Sequence, residues 1–267
     1  MSLVYRTTGI VNFAQGSFAV MGGLFTFWLI DDVGGLAAGA IAVCLAAGAG
    51  ALVGFVAVGF RRRTTPLASL IITLGLALLI SSLMLLAFGD RPHSYPGVAE
   101  HAWDIGGVLV QPQYAVVAGV TLVVALLLTL ALQRTIVGHA LVACADSRRA
   151  AELVGIDVRA VAVVAFALSA AISAVGWSLL TPVDPVTYDS DVRIAINGFA
   201  AAAFGGLVSI RLAYVGGLVL GVIEQLVVGY ADKIPGLGVQ ARQYELAAAL
   251  IIMLVLIGWR SRHEVVH

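Results

Sequence analysis

Ala143-Cys-Ala-Asp-Ser-Arg-Arg-Ala-Ala-Glu-Leu-Val-Gly-Ile-Asp157 is a polar, helix-prone island set between two long apolar runs, near 114–132 and 158–180. Each run reaches the roughly 20 residues needed to cross a hydrocarbon core. The island itself would make about four helical turns, whereas helices in bundles are usually joined by only about 2–8 residues. An ordered polar helix between two spans is therefore expected to be a docking place. That points to a membrane protein driven by a soluble partner.

The rest of the composition agrees. Apolar residues make up 61% of the 267-residue chain and charged residues 11%, with a mean hydropathy of +1.03. Soluble domains carry about 25% charged residues, so an ordinary soluble enzyme or binding module is excluded. Barrel strands would alternate over segments of about ten residues; the runs here are longer and continuously apolar. The expected fold is all-α, a polytopic transmembrane helical bundle forming a single domain over 1–267. Cys44 and Cys144 lie in an apolar run and in the island and imply no disulfide scaffold. Met1–Arg6 reads like the end of an apolar span and not like a signal peptide, so the chain is expected to lack one N-terminal span.

Hydropathy marks about eight membrane segments, at 9–30, 36–59, 66–88, 114–132, 158–180, 193–210, 212–230 and 243–259. Sorting the connections by charge gives two sets. One holds Arg6, Arg61, Arg62, Arg63, Arg134, Arg148, Arg149, Arg159, Arg211, Arg260 and Arg262. The other is acidic, with Asp31, Asp32, Asp90, Glu100, Asp104, Asp184, Asp189, Asp191 and Asp232 against few basic residues. The positive-inside rule places the arginine-rich set, both chain ends and the island in the cytoplasm. Segment 89–113 becomes an extracytoplasmic loop. Its Pro92, Pro96 and Pro112, with four glycines, exclude a long helix and favour a structured cap.

Within the spans, Gly35-x-x-x-Gly39, Gly50-x-x-x-Gly54 and Gly217-x-x-x-Gly221 permit close helix packing. Gly205-Gly206, Arg211 and Gly216-Gly217 interrupt the segment 205–221, which is expected to be broken or re-entrant. Asn12 and Gln15 lie three apart, on one face if the segment is helical. Buried amides need partners, so these two either line a pathway or join helices. Glu224 lies inside an apolar run, where a carboxylate is expensive; it is either functional or a protonated or paired structural group. Asn197 and Glu245 fall nearer span ends.

An energy source is missing. A nucleotide-hydrolysing P-loop needs a lysine after its glycine-rich turn, and the only lysine, Lys233, stands in Ala-Asp-Lys-Ile-Pro. His263-Glu-Val-Val-His267 matches a zinc-protease pattern, but a chain terminus is a poor place to hold a metal. No catalytic residue, metal or cofactor is assigned. In the island, Asp146 or Ser147 can cap a helix start and Gly155 can end it in a left-handed turn. Ala150, Ala151, Leu153 and Val154 would then form a small apolar face, with Arg148, Arg149 and Glu152 on the remainder.

At these residues the chain resembles a known family. Gly9-Ile-Val-Asn-Phe-Ala-Gln-Gly16, Ala145-Asp-Ser-Arg-Arg-Ala-Ala-Glu-Leu-Val-Gly-Ile156 and Phe204-Gly-Gly-Leu-Val-Ser-Ile210 followed by Gly216-Gly217 are similar to motifs of the LivH-like permeases of branched-chain amino-acid ABC importers. The similarity runs in order along nearly the whole chain. It departs at Val208 and Leu212, which stand where the family's glycine-rich motif has glycines, and at Val142, where a basic residue is common.

The resemblance implies a non-catalytic inner-membrane permease that translocates a branched-chain amino acid or related small solute. Its implied partners are cytoplasmic ABC ATPase subunits, a second permease, an extracytoplasmic solute-binding protein and membrane lipid, with no nucleic acid. The island becomes the coupling helix, with Asp146, Arg148, Arg149, Ala150, Glu152, Leu153 and Gly155 as the ATPase-facing residues. Asn12, Gln15, Asn197 and Glu224 become the pathway candidates. The rival readings are a proton-coupled secondary transporter or channel using Glu224, and an intramembrane metalloprotease.

Overall fold

The structure, a computed structural model, describes residues 1–59, 66–98, 102–105, 108–207 and 209–230, together with residues 247, 250, 251, 254, 255 and 258. In chain order the helices are α1 (Ser2–Thr8), α2 (Gln15–Val33), α3 (Gly35–Gly54), α4 (Pro66–Phe88), α5 (Pro112–Arg134), α6 (Ile136–Asp146), α7 (Arg148–Leu153), α8 (Val158–Leu180), α9 (Ser190–Phe204) and α10 (Ile210–Tyr230). A π turn, Phe55–Gly59, extends α3. The two short antiparallel strands β1 (Trp103–Ile105) and β2 (Val108–Val110) form a hairpin before α5. The chain is an all-helical, multi-pass membrane bundle with one small hairpin in a connection.

Six of the described helices are long and apolar enough to cross a membrane, not eight. The expected span at 193–210 is α9, whose 15 residues reach about 22 Å against a core of about 30 Å. The expected span at 243–259 lies largely outside the described residues, although Leu250 packs against Ala200 and Leu220. Hydropathy counts composition over a window and cannot register where hydrogen bonding stops. For the same reason the span expected at 9–30 becomes helical only from Gln15. The break expected across 205–221 is confined to the turn between α9 and α10, where Gly206 and Leu207 both have φ of 63°. Gly216 and Gly217 sit inside an uninterrupted α10.

The core is the crossing of α3 and α8, with α2 packed against both. Glycines make this close approach possible: a Cβ on Gly50 would lie 2.8 Å from the Phe166 carbonyl oxygen, and one on Gly54 would lie 2.8 Å from Phe166 Cβ. Phe18, Leu24, Val53, Phe166 and Ala170 fill the seam. In contrast α5 lies at the edge, with only Pro112 and Gln113 buried.

The connections gather at two opposite ends. Leu3, Arg6, Leu132, Leu141, Ala145 and Ile210 meet at one end. At the other, His93 pairs with Val186 across a β-bridge. Gln113 accepts from the Val98 N–H (3.1 Å) and donates to the Leu179 carbonyl (2.6 Å). Tyr95 donates to the Ser178 carbonyl, and burial pushes its phenol up to about 12, against smaller opposing effects of Thr181 and Thr26.

Candidate functional site

The candidate residues fall in three places: the polar island, the non-helical segment before α2 with its junction at Gln15, and a cavity between α8, α9 and α10.

The island is a corner and not one helix. The helix α6 runs into it from the apolar side and ends at Asp146, which therefore does not cap. The Ser147 hydroxyl accepts from the Ala150 N–H at 3.2 Å and starts the six-residue α7. Gly155, at φ of 86°, turns the chain left-handed, a conformation that a side chain would disfavour. Asp157 then caps α8 by accepting from the N–H groups of Arg159 and Ala160, at 3.0 and 3.2 Å.

Such a short helix is not stable alone. Ala151 anchors it in a cluster with Leu141, Cys144, Val158, Val161 and Ala165. Burial pushes the Cys144 thiol up, with Glu152 adding to the effect and Arg148 opposing it.

The expected apolar face does not close on the protein. Leu153 is 84% exposed and Val154 76%; only Ala151 turns inward. Ala150, Arg149 and Glu152 are exposed beside them. Arg148 behaves differently from Arg149: its Nη1 donates to the Thr8 carbonyl oxygen at 3.1 Å. Asp146 lies 3.6 Å from Arg6. The corner is thus tied to both ends of the second half of α1.

Between α1 and α2 the chain leaves the helix. Gly9, at φ of 70°, ends α1 with its N–H on the Tyr5 carbonyl at 2.7 Å. The Thr8 hydroxyl accepts from the Ile10 N–H (3.2 Å) and Asn12 Oδ1 from the Ala14 N–H (3.1 Å). These local bonds replace helical ones. Asn12 and Gln15 consequently do not share a helix face.

Asn12 is fully buried, and its Nδ2 has no partner among the described residues. Gln15 is spent on α8. It donates to the Ser169 carbonyl (3.0 Å) and to the Ser173 hydroxyl, and it accepts from the Ser169 hydroxyl (2.6 Å). Of the two roles open to Gln15 from sequence, this geometry uses the interhelical one.

Asp191 belongs by charge to the acidic set of connections, yet it is 6% exposed in the first turn of α9. Its Oδ2 accepts from Ser17 of α2 at 3.0 Å and from Ser81 of α4 at 2.5 Å. Proximity to a span end hid it. No local signal distinguishes it from Asp189 two residues earlier.

Asn197 and Glu224 come together: Asn197 Nδ2 donates to Glu224 Oε1 at 2.7 Å, joining α9 to α10. The pair borders a cavity of about 400 Å³ whose apolar wall includes Trp177, Leu180, Ile194 and Leu220. Arg193 and Asp184 line the same cavity, paired at 2.9 Å. The four sequence candidates therefore form two separate groups, with Asn12 and Gln15 at the α2 start and Asn197 and Glu224 at the cavity. Among the described residues no three His, Cys, Asp or Glu side chains gather as a metal site. The residues 263–267 of the protease-like pattern lie outside the described residues.

The comparisons with known proteins converge. A family model described as "Branched-chain amino acid transport system / permease component" matches residues 1–257. The high-affinity branched-chain amino acid transport system permease protein LivH of Escherichia coli (strain K12) is 29% identical over 282 residues, covering 99% of this chain and 90% of that protein. LivH of Salmonella typhimurium (strain LT2) is 30% identical over the same shares. The permease protein BraD of Pseudomonas aeruginosa is 27% identical, covering 96% of this chain and 86% of its own length. No solved structure matches the chain.

Proposed function

The chain belongs to the branched-chain amino acid transport permease family, and on that premise we propose that it lines half of the membrane path of an ATP-driven importer. The solute is a branched-chain amino acid or a close relative, as the names of the similar proteins indicate. A separate cytoplasmic ATPase supplies the energy, a second permease supplies the other half of the path, and an extracytoplasmic binding protein delivers the solute. The membrane is the cell's inner membrane. The arginine-rich end of the bundle and both chain ends face the cytoplasm, and the 89–113 loop faces outward.

One observation carries the coupling role. The helix α7 is held to the bundle by Ala151 while Leu153 and Val154 stand exposed beside Arg149 and Glu152. Exposed apolar side chains rimmed by charges are the composition of a docking surface. The seven coupling candidates then divide by role. Leu153, Arg149, Ala150 and Glu152 face the ATPase, Gly155 and Asp146 shape the corner, and Arg148 passes its movement inward. When the ATPase subunits close, α7 is displaced, and the Arg148 bond to Thr8 pulls on α1 just before its non-helical continuation. Asn12, in that continuation, and Gln15, at its junction with α8, are the groups that such a movement rearranges. Asn197 and Glu224 line the path itself.

The test is reconstituted uptake. Arg149→Glu with Glu152→Arg, in the complete importer with its ATPase and binding protein, is expected to lower ATP-dependent leucine uptake at least about tenfold. Weaker co-purification of the ATPase is expected to accompany it. Undiminished uptake would remove α7 as the docking element. Uptake driven by a proton gradient without any ATPase would favour a secondary transporter instead.

A further inference from the structure

We infer that the cavity between α8, α9 and α10 is a zwitterion-reading station for an aliphatic α-amino acid, with Arg193 taking its carboxylate and Glu224 with Asn197 taking its ammonium. This inference rests on the importer reading above and names the residues that recognise its solute.

The cavity owes its existence to missing side chains. Gly198 and Gly221 border it, and a Cβ placed on either would meet nothing within 4 Å; on Gly217 it would touch only Ala201 Cβ, at 3.7 Å. Gly217, Leu220, Gly221 and Glu224 repeat at the spacing of one face of α10, and Arg193, Asn197 and Ala201 do so on α9. Two helices thus face each other across a gap of about 400 Å³, inside the range of small-molecule sites at roughly 300–1,000 Å³.

A cation and an amide lie one helical turn apart on α9, and the amide carries the carboxylate of Glu224 from α10. Arg193 and Asn197 are four residues apart on α9, so their Cβ atoms are separated by about 5–6 Å, a span that an α-ammonium and an α-carboxylate bridge with ordinary hydrogen bonds. Arg193 uses Nη2 on Asp184 at 2.9 Å; a guanidinium has five donors, so a second carboxylate can join. Asn197 donates to Glu224 and leaves its Oδ1 buried without a partner among the described residues. A buried orphan acceptor is costly and calls for a donor. An ammonium is such a donor, and Glu224 beside it supplies the countercharge. Leu180, Ile194, Leu220 and the ring of Trp177 provide the apolar wall for a branched side chain.

The measurement is equilibrium binding of radiolabelled leucine to the complete permease–ATPase complex in nanodiscs, without binding protein. Leucinamide, which lacks the carboxylate, and isocaproate, which lacks the ammonium, serve as competitors. Arg193→Gln is expected to weaken leucine and isocaproate at least about tenfold while sparing leucinamide. Glu224→Gln is expected to weaken leucine and leucinamide while sparing isocaproate. Gly221→Val, which fills the gap without touching charge, is expected to weaken all three.

A merely structural role for these residues would weaken every compound alike, and that outcome overturns the site. Leucine uptake by the wild-type importer, measured alongside with ATP and binding protein, separates the two levels. Intact uptake with an uncrossed binding pattern, or with no binding, sinks the station and leaves the importer standing. Absence of leucine uptake by the wild type sinks both.

Discussion

Gly16, the first glycine of α2, is the position where one added methyl group should do most harm. A Cβ there would sit 1.9 Å from the Asp191 carbonyl oxygen, 2.7 Å from its carbonyl carbon and 3.0 Å from its Cα. All three are backbone atoms, so no rotamer change relieves the clash. Ordinary contact begins at 3.4 Å, which means that α2 and the first turn of α9 must part by about 1.5 Å. The Ser17 hydrogen bond to Asp191 is 3.0 Å and the Ser81 bond 2.5 Å; a shift of that size stretches at least the first beyond bonding distance.

Two costs then add. Overpacking costs about 1–3 kcal/mol, and a lost interhelical hydrogen bond inside a membrane protein averages only about 0.6 kcal/mol. Overpacking dominates, so Gly16→Ala is expected to cost about 2–4 kcal/mol. Ser17→Ala, which removes one hydrogen bond and leaves the approach intact, is expected to cost about 1 kcal/mol or less. Thermal loss of monodispersity for the detergent-solubilised importer, with binding-protein-stimulated ATPase activity as the functional readout, ranks the two. Equal stability, or a larger loss in Ser17→Ala, would refute the claim that backbone proximity holds α2 on α9.

Two further predictions concern the island. Arg148→Gln removes the bond to the Thr8 carbonyl while leaving Leu153, Val154, Arg149 and Glu152 in place. A charged hydrogen bond at an exposed site is worth about 1 kcal/mol, so solute moved per ATP is expected to fall about fivefold with unchanged ATPase co-purification; an unchanged ratio would end the idea of an inward tie. Cys144 is 2% exposed and burial raises its thiol pKa, so little thiolate exists at neutral pH. In a Cys44→Ser background, N-ethylmaleimide at pH 7 is expected to label Cys144 only after denaturation, and rapid labelling of the folded importer would show that the cluster beneath α7 opens.

Much of the architecture is legible in the sequence. Sustained apolar runs must be helical in lipid because every backbone group needs an internal partner, and the spans at 66–88 and 158–180 begin and end where hydropathy placed them. Charge divides the connections into an arginine-rich and an acidic set, and among the described residues Arg6 meets Leu132, Ala145 and Ile210 at one end while His93 meets Val186 at the other. Gly155 is legible as a left-handed stop and Ser147 as one of two cap candidates beside Asp146, since both roles depend on the residue's own chemistry. The non-helical stretch 9–14 was not legible: Ile10, Val11 and Phe13 look equally apolar in either backbone state.

What the sequence alone determined is the solvent, the helical fold, the family and the polar island at 143–157. Each follows from side-chain chemistry summed over a window or from short motifs in fixed order. What only the tertiary structure decided is which faces meet. It directed Arg148 inward to Thr8 and left Leu153 and Val154 outward, committed Gln15 to α8, buried Asp191 between Ser17 and Ser81, and set Asn197 on Glu224 beside a cavity opened by glycines. Those partners lie 27 to 174 residues apart in the chain. Their pairing depends on how close two helix backbones come, a quantity that the sequence encodes only through the packing of the whole bundle.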